Sequence, residues 1–427
     1  MRVLTTPFTL SLLIDSYGCL FSFCVLFIAR QVFFFAQGYM KEDVHVQRFA
    51  WVLLAFVVSI NLLIYSGRLL GVFLGWDGLG LTSFILVMYY QNPYAAGARL
   101  VTALTNRVGD VALLMVVAVR GAVGHWQIRR LGLGFVASLL LVVGAITKSA
   151  QFPFSGWLPQ AMAAPTPVSA LVHSSTLVTA GVFLVIRFFP MMGGHALVSY
   201  ICLFLGGVTM LLAGLRACVE FDLKKVVAYS TLRQLGVMFV ALGLGRPMLA
   251  FFHLLTHAMF KALLFLCVGT CIHYHGHMQD VRAMGDLSRR LPVTQRMILV
   301  SNLALCGTPF LAGFYSKEPI LELTLVNRVG WVRLFLILGA TRLTTIYAVR
   351  RFRLTQVGEA LHMPLVGRHE RREFFFWPII FLGAGAIVWG AVLNWLLVPA
   401  FVPMSTTVLM RFVPLALIAS GVGLRAV

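Results

Sequence analysis

Apolar runs of bilayer-spanning length recur from residue 9 to residue 424, separated by short links. Backbone polar groups in hydrocarbon must be satisfied within the segment, so runs this long are expected to be α-helices. The expected spans are 9–36, 49–66, 68–90, 97–120, 132–151, 167–189, 194–216, 222–244, 247–274, 293–312 with 314–327, 329–349, 373–399 and 404–424. That is about 13 spans, because 293–327 reads as one broken helix. Only 11% of residues are charged, against about 25% in a water-soluble domain. No polar stretch is large enough for an extramembrane domain. An all-α polytopic membrane protein is expected, with one membrane domain over 1–427. The start, MRVLTTPFTLSLLID, lacks a basic, Ser-rich transit peptide and a clear cleavage site, so its apolar segment reads as a retained span.

The net charge of +20 does not point to nucleic acid. Arginines cluster in links and at span ends, as in Arg129 and Arg130, Arg289 and Arg290, Arg350 and Arg351, and Arg371 and Arg372. Basic ends anchor helices and attract anionic lipids such as cardiolipin. The 7 cysteines form no CxxC, so no zinc, iron–sulfur or disulfide framework is legible. There are 28 arginines but 6 lysines, and Lys148, Lys261 and Lys317 lie within spans. A guanidinium keeps its proton, whereas a desolvated amine can release one. Codon bias would explain the rarity of lysine, but not its placement.

Two segments interrupt the helical pattern. One is TKSAQFPFSGWLPQAMAAPTP, with Pro153, Pro159, Pro165 and Pro167, and the other is CGTPFLAGFYSKEP, with Gly307, Pro309, Gly313 and Pro319. Such breaks are tolerated only inside protein or beside a wet cavity. Each carries a lysine, and together they suggest a duplicated, transporter-like architecture.

Other ionisable residues share the apolar spans: Asp77, Arg107, Asp110, His173, His253, His257 and Glu318. A charge at mid-bilayer costs at least ~2.5–3.5 kcal/mol, so such groups pair or face a water path. Asp110 with Arg107 (i, i+3) also fits a simple pair, and a lone histidine is more often an interhelical hydrogen bonder than a relay. His253, His257 and Lys261 recur every four residues, on one helix face and about 6 Å apart along the axis. His273, His275 and His277 have the look of a metal cluster, but their place at a span end beside a loop argues against one. Haem held between His173 and His257 is disfavoured by the accompanying lysines.

These stretches resemble the antiporter-like subunits of respiratory complex I (NADH–ubiquinone oxidoreductase), and among them the subunit 5 branch. The resemblance rests on LGWDGLGLTSF, LTNRVGDVALL, TKSAQFPFSGWLPQAMAAPTPVSALVHSSTLVTAGVFL, DLKKVVAYSTLRQLGVM, HLLTHAMFKALLFL and FLAGFYSKEPILE, over roughly residues 15–350. It implies two inverted five-helix repeats, approximately 49–189 and 194–350, each with a broken helix, followed by C-terminal spans over 373–427. Asp77 matches the family's carboxylate, often Glu, and Lys148 its partner in the first broken helix. His173 matches the histidine of the next helix, and His257 with Lys261 the central titratable pair. Lys317 and Glu318 match the second broken helix near the end of the path. Asp222, Lys224 and Lys225 match a DLKK turn expected to be structural.

The resemblance departs at both ends. The family has two further helices before the segment near Asp15, and a long lateral helix with an anchoring span after the bundle. Other polypeptides, accessory subunits among them, are expected to stand in their place, the alternative being simple loss with lipid filling the gap. The expected function is proton translocation coupled to quinone reduction elsewhere in the complex. NADH, flavin, iron–sulfur clusters and ubiquinone would then lie in other subunits, with no cofactor or metal here. Expected partners are the other membrane-arm subunits, especially a subunit 4-like neighbour, and the expected location is the mitochondrial inner membrane or a bacterial plasma membrane. The alternatives are a cation/proton antiporter subunit, a membrane-bound hydrogenase subunit or a non-pumping scaffold.

Overall fold

A computed structural model describes residues 2–3, 6–7, 11–122, 132–192, 194–285, 287–326, 330–358, 373–397 and 408–423. Apart from a two-residue pairing of Arg2–Val3 with Thr6–Pro7, the described elements are helices. They are α1 (Ser16–Tyr39), α2 (Val46–Tyr65), α3 (Leu69–Val87), α4 (Pro93–Ala122), α5 (Phe135–Lys148), α6 (Trp157–Gln160), α7 (Thr166–Leu171) and α8 (Leu177–Phe188). There follow α9 (Ala196–Val219), α10 (Leu223–Gly243), α11 (Pro247–Tyr274), α12 (Leu287–Arg290), α13 (Pro292–Cys306), α14 (Ala312–Val326), α15 (Trp331–Phe352), α16 (Glu373–Leu397) and α17 (Val408–Gly423).

Local chemistry sets several boundaries. Asp15 caps α1 by accepting from the Gly18 amide at 2.9 Å, so the first span starts at Ser16 rather than near residue 9. Asp222 caps α10 through the Lys224 amide at 3.1 Å. Prolines open α11 and α13, where a missing amide proton costs nothing. Gly307 ends α13 in the left-handed region, at φ 88°, a conformation that disfavours a side chain.

Among the described residues, ten helices are long and apolar enough to cross a membrane, with α7 and α8 joined as one. The two broken helices and the shorter α17 bring the total to the expected 13. The first break runs over 149–165, with α6 inside it. The second runs over 307–311, between α13 and α14. The order of packing partly recurs: α2 on α3, α3 on α4 and α4 on α5, then α9 on α10, α10 on α11 and α11 on α13.

α11 is the hub. It packs on α1, α7, α8, α10, α13, α14 and α16, and with α7–α8 it is wholly enclosed by protein. By contrast α4 presents Leu100, Leu104, Val108 and Val111 outward, a face suited to lipid or a neighbouring subunit. The basic span ends are not uniform anchors. Arg351 is buried, and Arg350 donates to the Cys218 and Glu220 carbonyls at 2.5 and 2.9 Å. Arg129, Arg130, Arg371 and Arg372 lie outside the described residues, as does most of the 350–372 link.

Near the ends of α9 and α15, the loop after α11 pairs with the α9–α10 turn, Leu223 N to Gln279 O and Val281 N to Phe221 O, both at 2.9 Å. In that loop the Arg282 guanidinium holds the Asp280 carboxyl below the usual carboxylate range.

The halves of the second broken helix are held at close quarters. A Cβ on Gly313 would run into the Ala304 carbonyl oxygen, whereas one on Gly97 would meet open space. Gly313→Ala is therefore expected to cost roughly 1–3 kcal/mol and reduce assembled complex on native gels. Gly97→Ala should leave the amount unchanged, and equal assembly of the two variants would contradict the close packing.

Candidate functional site

Lys148 is the last residue of α5 and is 1% exposed. Its ammonium donates to the Trp76 carbonyl and lies 4.2 Å from the centre of the Trp76 ring. The Trp76 indole nitrogen in turn donates to Asp110 Oδ1 at 2.9 Å. Arg107 bridges two carboxylates, Asp77 Oδ1 at 3.1 Å and Asp110 Oδ2 at 3.2 Å. Asp77 is thus tied to Arg107 rather than bonded to Lys148. The resemblance implied Asp77 as the partner of Lys148; here Trp76 links Lys148 to Asp110, and Asp77 lies one Arg107 bridge further on. The side chain of Asp110 is 9% exposed, against 34% for Asp77 and 58% for Arg107. One residue of helix offset explains the difference. Trp76 faces inward from α3, while Asp77 turns to the outer side.

The next titratable group is His173, in a π-helical turn, Val172–Thr176, between α7 and α8. Such turns often mark functional sites. Neither His173 ring nitrogen has a protein partner, and its ring lies 6.3 Å from Trp157, edge to face. The Trp157 indole donates to the Thr147 carbonyl at 2.9 Å, next to Lys148.

On α11, His253, His257 and Lys261 are all buried. His253 Nδ1 is 2.9 Å from Ser316 Oγ, and its Nε2 is 3.2 Å from Gln234 Oε1. The His253 and His257 rings are 6.2 Å apart, and neither His257 nitrogen has a protein partner. Lys261 donates to Ser230 Oγ at 2.5 Å. Lys317 donates to the Cys306 carbonyl at 3.0 Å, where the dipole of α13 places negative potential. Glu318 is half-buried and borders a crevice with Lys317, Cys306 and Thr341.

The DLKK turn packs the two halves together. Lys224 donates to the Ala164 carbonyl of the first break at 3.2 Å, and Lys225 pairs with Asp222 at 3.7 Å. His273 and His277 stand 6.0 Å apart as rings around Tyr39, and His275 Nδ1 is 3.1 Å from the Cys271 carbonyl.

A vestibule of about 460 Å³ opens beside the first break, lined in part by Tyr94, Gln160, Thr209, Arg216 and Lys225. Thr209 donates to Gln151 Oε1 at 2.6 Å, and Gln151 donates to the Ser149 carbonyl at 3.2 Å, one residue from Lys148. Trp76, Gln151, Ser230, Gln234, Arg233 and Arg351 escape a sequence reading. Only Arg233, an arginine well inside a span, carried a signal that could have found it.

A family model described as NADH:quinone oxidoreductase/Mrp antiporter, TM, matches residues 66–344. A second, described as NADH-Ubiquinone oxidoreductase (complex I), chain 5 N-terminus, matches residues 1–50. NADH-ubiquinone oxidoreductase chain 5 of Lumbricus terrestris is 46% identical over 92% of this chain and 69% of its own length. The Anopheles gambiae chain of the same name is 45% identical over 95% and 71%. That of Balaenoptera musculus is 38% identical over 95% and 68%. Among solved structures, an Mrp complex from Dietzia sp. superposes with a TM-score of 0.85 at 27% identity. The match covers 97% of this chain and 49% of that one.

The geometry ranks the two carboxylates. Asp110→Asn removes a group that is tied to Lys148 through the Trp76 indole, and hydrogen bonds to charged groups contribute about 1.5–3 kcal/mol. Asp77→Asn removes half of an exposed pair, typically below about 1 kcal/mol. Proton uptake by vesicles carrying the assembled complex should therefore fall further for Asp110→Asn. The reverse order would put Asp77 back in first place.

Proposed function

Because the chain belongs to the chain 5 family of NADH–ubiquinone oxidoreductase, the antiporter-like membrane subunits of complex I, we propose that it passes protons along the buried row from Lys148 to Lys317. The observation that carries this is the row itself. Lys148, His173, His257, Lys261 and Lys317 sit on or beside α5, α7–α8, α11 and α14, each shielded from the surface. A scaffold would not need five titratable groups at that depth.

The vestibule beside the first break serves as the inlet, and Thr209, Gln151 and Ser149 lead from it to Lys148. A proton on Lys148 is favoured while Asp110 stays linked through Trp76, and disfavoured when that link opens, because burial penalises the ammonium. His173 and His257, with ring nitrogens free of protein partners, receive the proton through water. Ser230 and the His253–Gln234–Ser316 network hold the acceptors in place. Lys317 completes the row at the second break, with Glu318 beside it. The groups act as coupled two-state sites, so each change of charge biases the next.

This chain supplies the proton path, while NADH, flavin, iron–sulfur clusters and ubiquinone belong to other subunits of the complex. The two five-element halves are related by inversion, as an odd number of spans per repeat dictates. The complex sits in the mitochondrial inner membrane, with this chain next to a subunit 4-like neighbour, accessory subunits and anionic lipid. The likeness to an Mrp complex supports a second reading, a cation/proton antiporter subunit. Co-purification with quinone-reducing subunits separates the two.

Lys148→Met keeps the volume and removes the amine. Proton uptake is expected to fall about tenfold or more, the scale of losing a positioned proton carrier, with the complex assembled normally. Proteoliposomes with a fluorescent pH probe measure it. Wild-type uptake by the variant would remove Lys148 from the path.

A further inference from the structure

The α1–α2 link and the end of α3 border a cavity of about 320 Å³ that lies apart from the proton row. α2 and α3 pack as an antiparallel hairpin, so the N-terminus of α2 and the C-terminus of α3 meet at one end of the bundle. The cavity sits between those two ends, and its lining carries both signs of charge. Asp43 comes from the link and Arg48 from the first turn of α2. Among the described residues no ion pair joins them. Asp43 stands instead beside the Tyr89 hydroxyl.

The helix ends reinforce this division of charge. His45, at the start of α2, makes no capping hydrogen bond, so its side chain leaves the first-turn amides beside Arg48 to attract an anion. The last carbonyls of α3 place negative potential on the other side, which favours a cation. Phe49, Tyr89 and Tyr90 add ring faces that also attract cations, with Tyr89 edge-on to Phe49 at 5.2 Å and to Tyr90 at 5.8 Å. The depth is that of lipid headgroups. Trp51, Tyr90 and Tyr94 are exposed near these helix ends, and exposed Trp and Tyr gather at the membrane–water boundary. Toward the bilayer the lining turns apolar at Val52 and Ile85, and exposed Leu81 continues the Ile85 side of α3 one turn deeper.

We propose that this cavity binds one phospholipid whose zwitterionic headgroup ends in a primary ammonium, phosphatidylethanolamine. The phosphate lies against Arg48 and the start of α2, the ammonium against Asp43 and the end of α3, and one acyl chain along Ile85 and Leu81. An anionic headgroup without an amine offers Asp43 no partner. A choline headgroup has no N–H to donate to Asp43 or to the Gln91 amide oxygen. A soluble phosphate ester leaves the apolar wall uncovered. The volume is in the range of small-ligand pockets. None of this depends on the chain passing protons.

Phosphatidylethanolamine, phosphatidylcholine and phosphatidylglycerol with the same photoactivatable acyl chain test the assignment on the purified, delipidated intact complex. At sub-saturating lipid, phosphatidylethanolamine is expected to label the α3 segment around Leu81 and Ile85 about tenfold more than the other two, read by peptide mass spectrometry. Other helices at the lipid surface of the complex should not distinguish the three. Asp43→Asn should bring phosphatidylethanolamine down to the level of phosphatidylcholine, and Arg48→Met should lower labelling by both. Equal labelling of α3 by all three lipids, or a lead for either of the others, overturns the proposal. So does an unlabelled α3 in a complex labelled elsewhere, where protein rather than lipid covers the cavity, and so does a preference that survives both substitutions. The wild-type comparison decides even if neither variant assembles.

Discussion

An ammonium inside a membrane bundle persists only where dipoles, ring faces or carboxylates replace the water it lost. Lys148 has all three: the Trp76 carbonyl, the Trp76 ring and, through the indole nitrogen, Asp110. The first half of the bundle is arranged around that requirement. α5 must stop at Lys148, α3 must offer Trp76 inward, and α4 must bring Asp110 alongside. The break after Lys148 frees helix-end carbonyls, so negative potential collects where the amine lies.

The second half repeats the plan with a different balance. Lys317 again meets the carbonyl end of a broken helix, here at Cys306, with Glu318 bordering the same crevice. Neutral partners do the holding: Ser230 for Lys261, and Gln234 and Ser316 for His253. Two permanently charged guanidiniums raise the electrostatic demand further. A charge moving from one half to the other therefore leaves a site with a bridged carboxylate pair and meets hydroxyl and amide partners on α11. α11, enclosed on every side, joins the two environments.

The span count, the two breaks and the burial of Lys148, Lys261 and Lys317 could all be read from residue order. Apolar runs dictate helices in hydrocarbon, and a buried lysine is too costly to be incidental. Likewise the i, i+4, i+8 spacing of His253, His257 and Lys261 is a property of any helix. Pairing was not legible. Which carboxylate reaches Lys148 depends on how α3 and α4 are rotated against α5, and one position of offset separates Trp76 from Asp77. The π-helical turn at His173 also left no mark in the apolar pattern, since it adds a single residue to one turn.

Arginine shows the same boundary from the other side. Composition suggests that arginines anchor span ends, and that holds only while the side chain can reach water. Arg351 occupies such an end, yet packing of α15 against its neighbours encloses it, and Arg233 is enclosed within α10. Residue order sets the secondary structure and the inventory of charges, because those follow from local hydrogen bonding and transfer energies. The neighbours of each charge are settled by helix rotation and packing across separations of 72 residues from Trp76 to Lys148, or 107 from Arg233 to Ala340, contacts on which no local pattern bears.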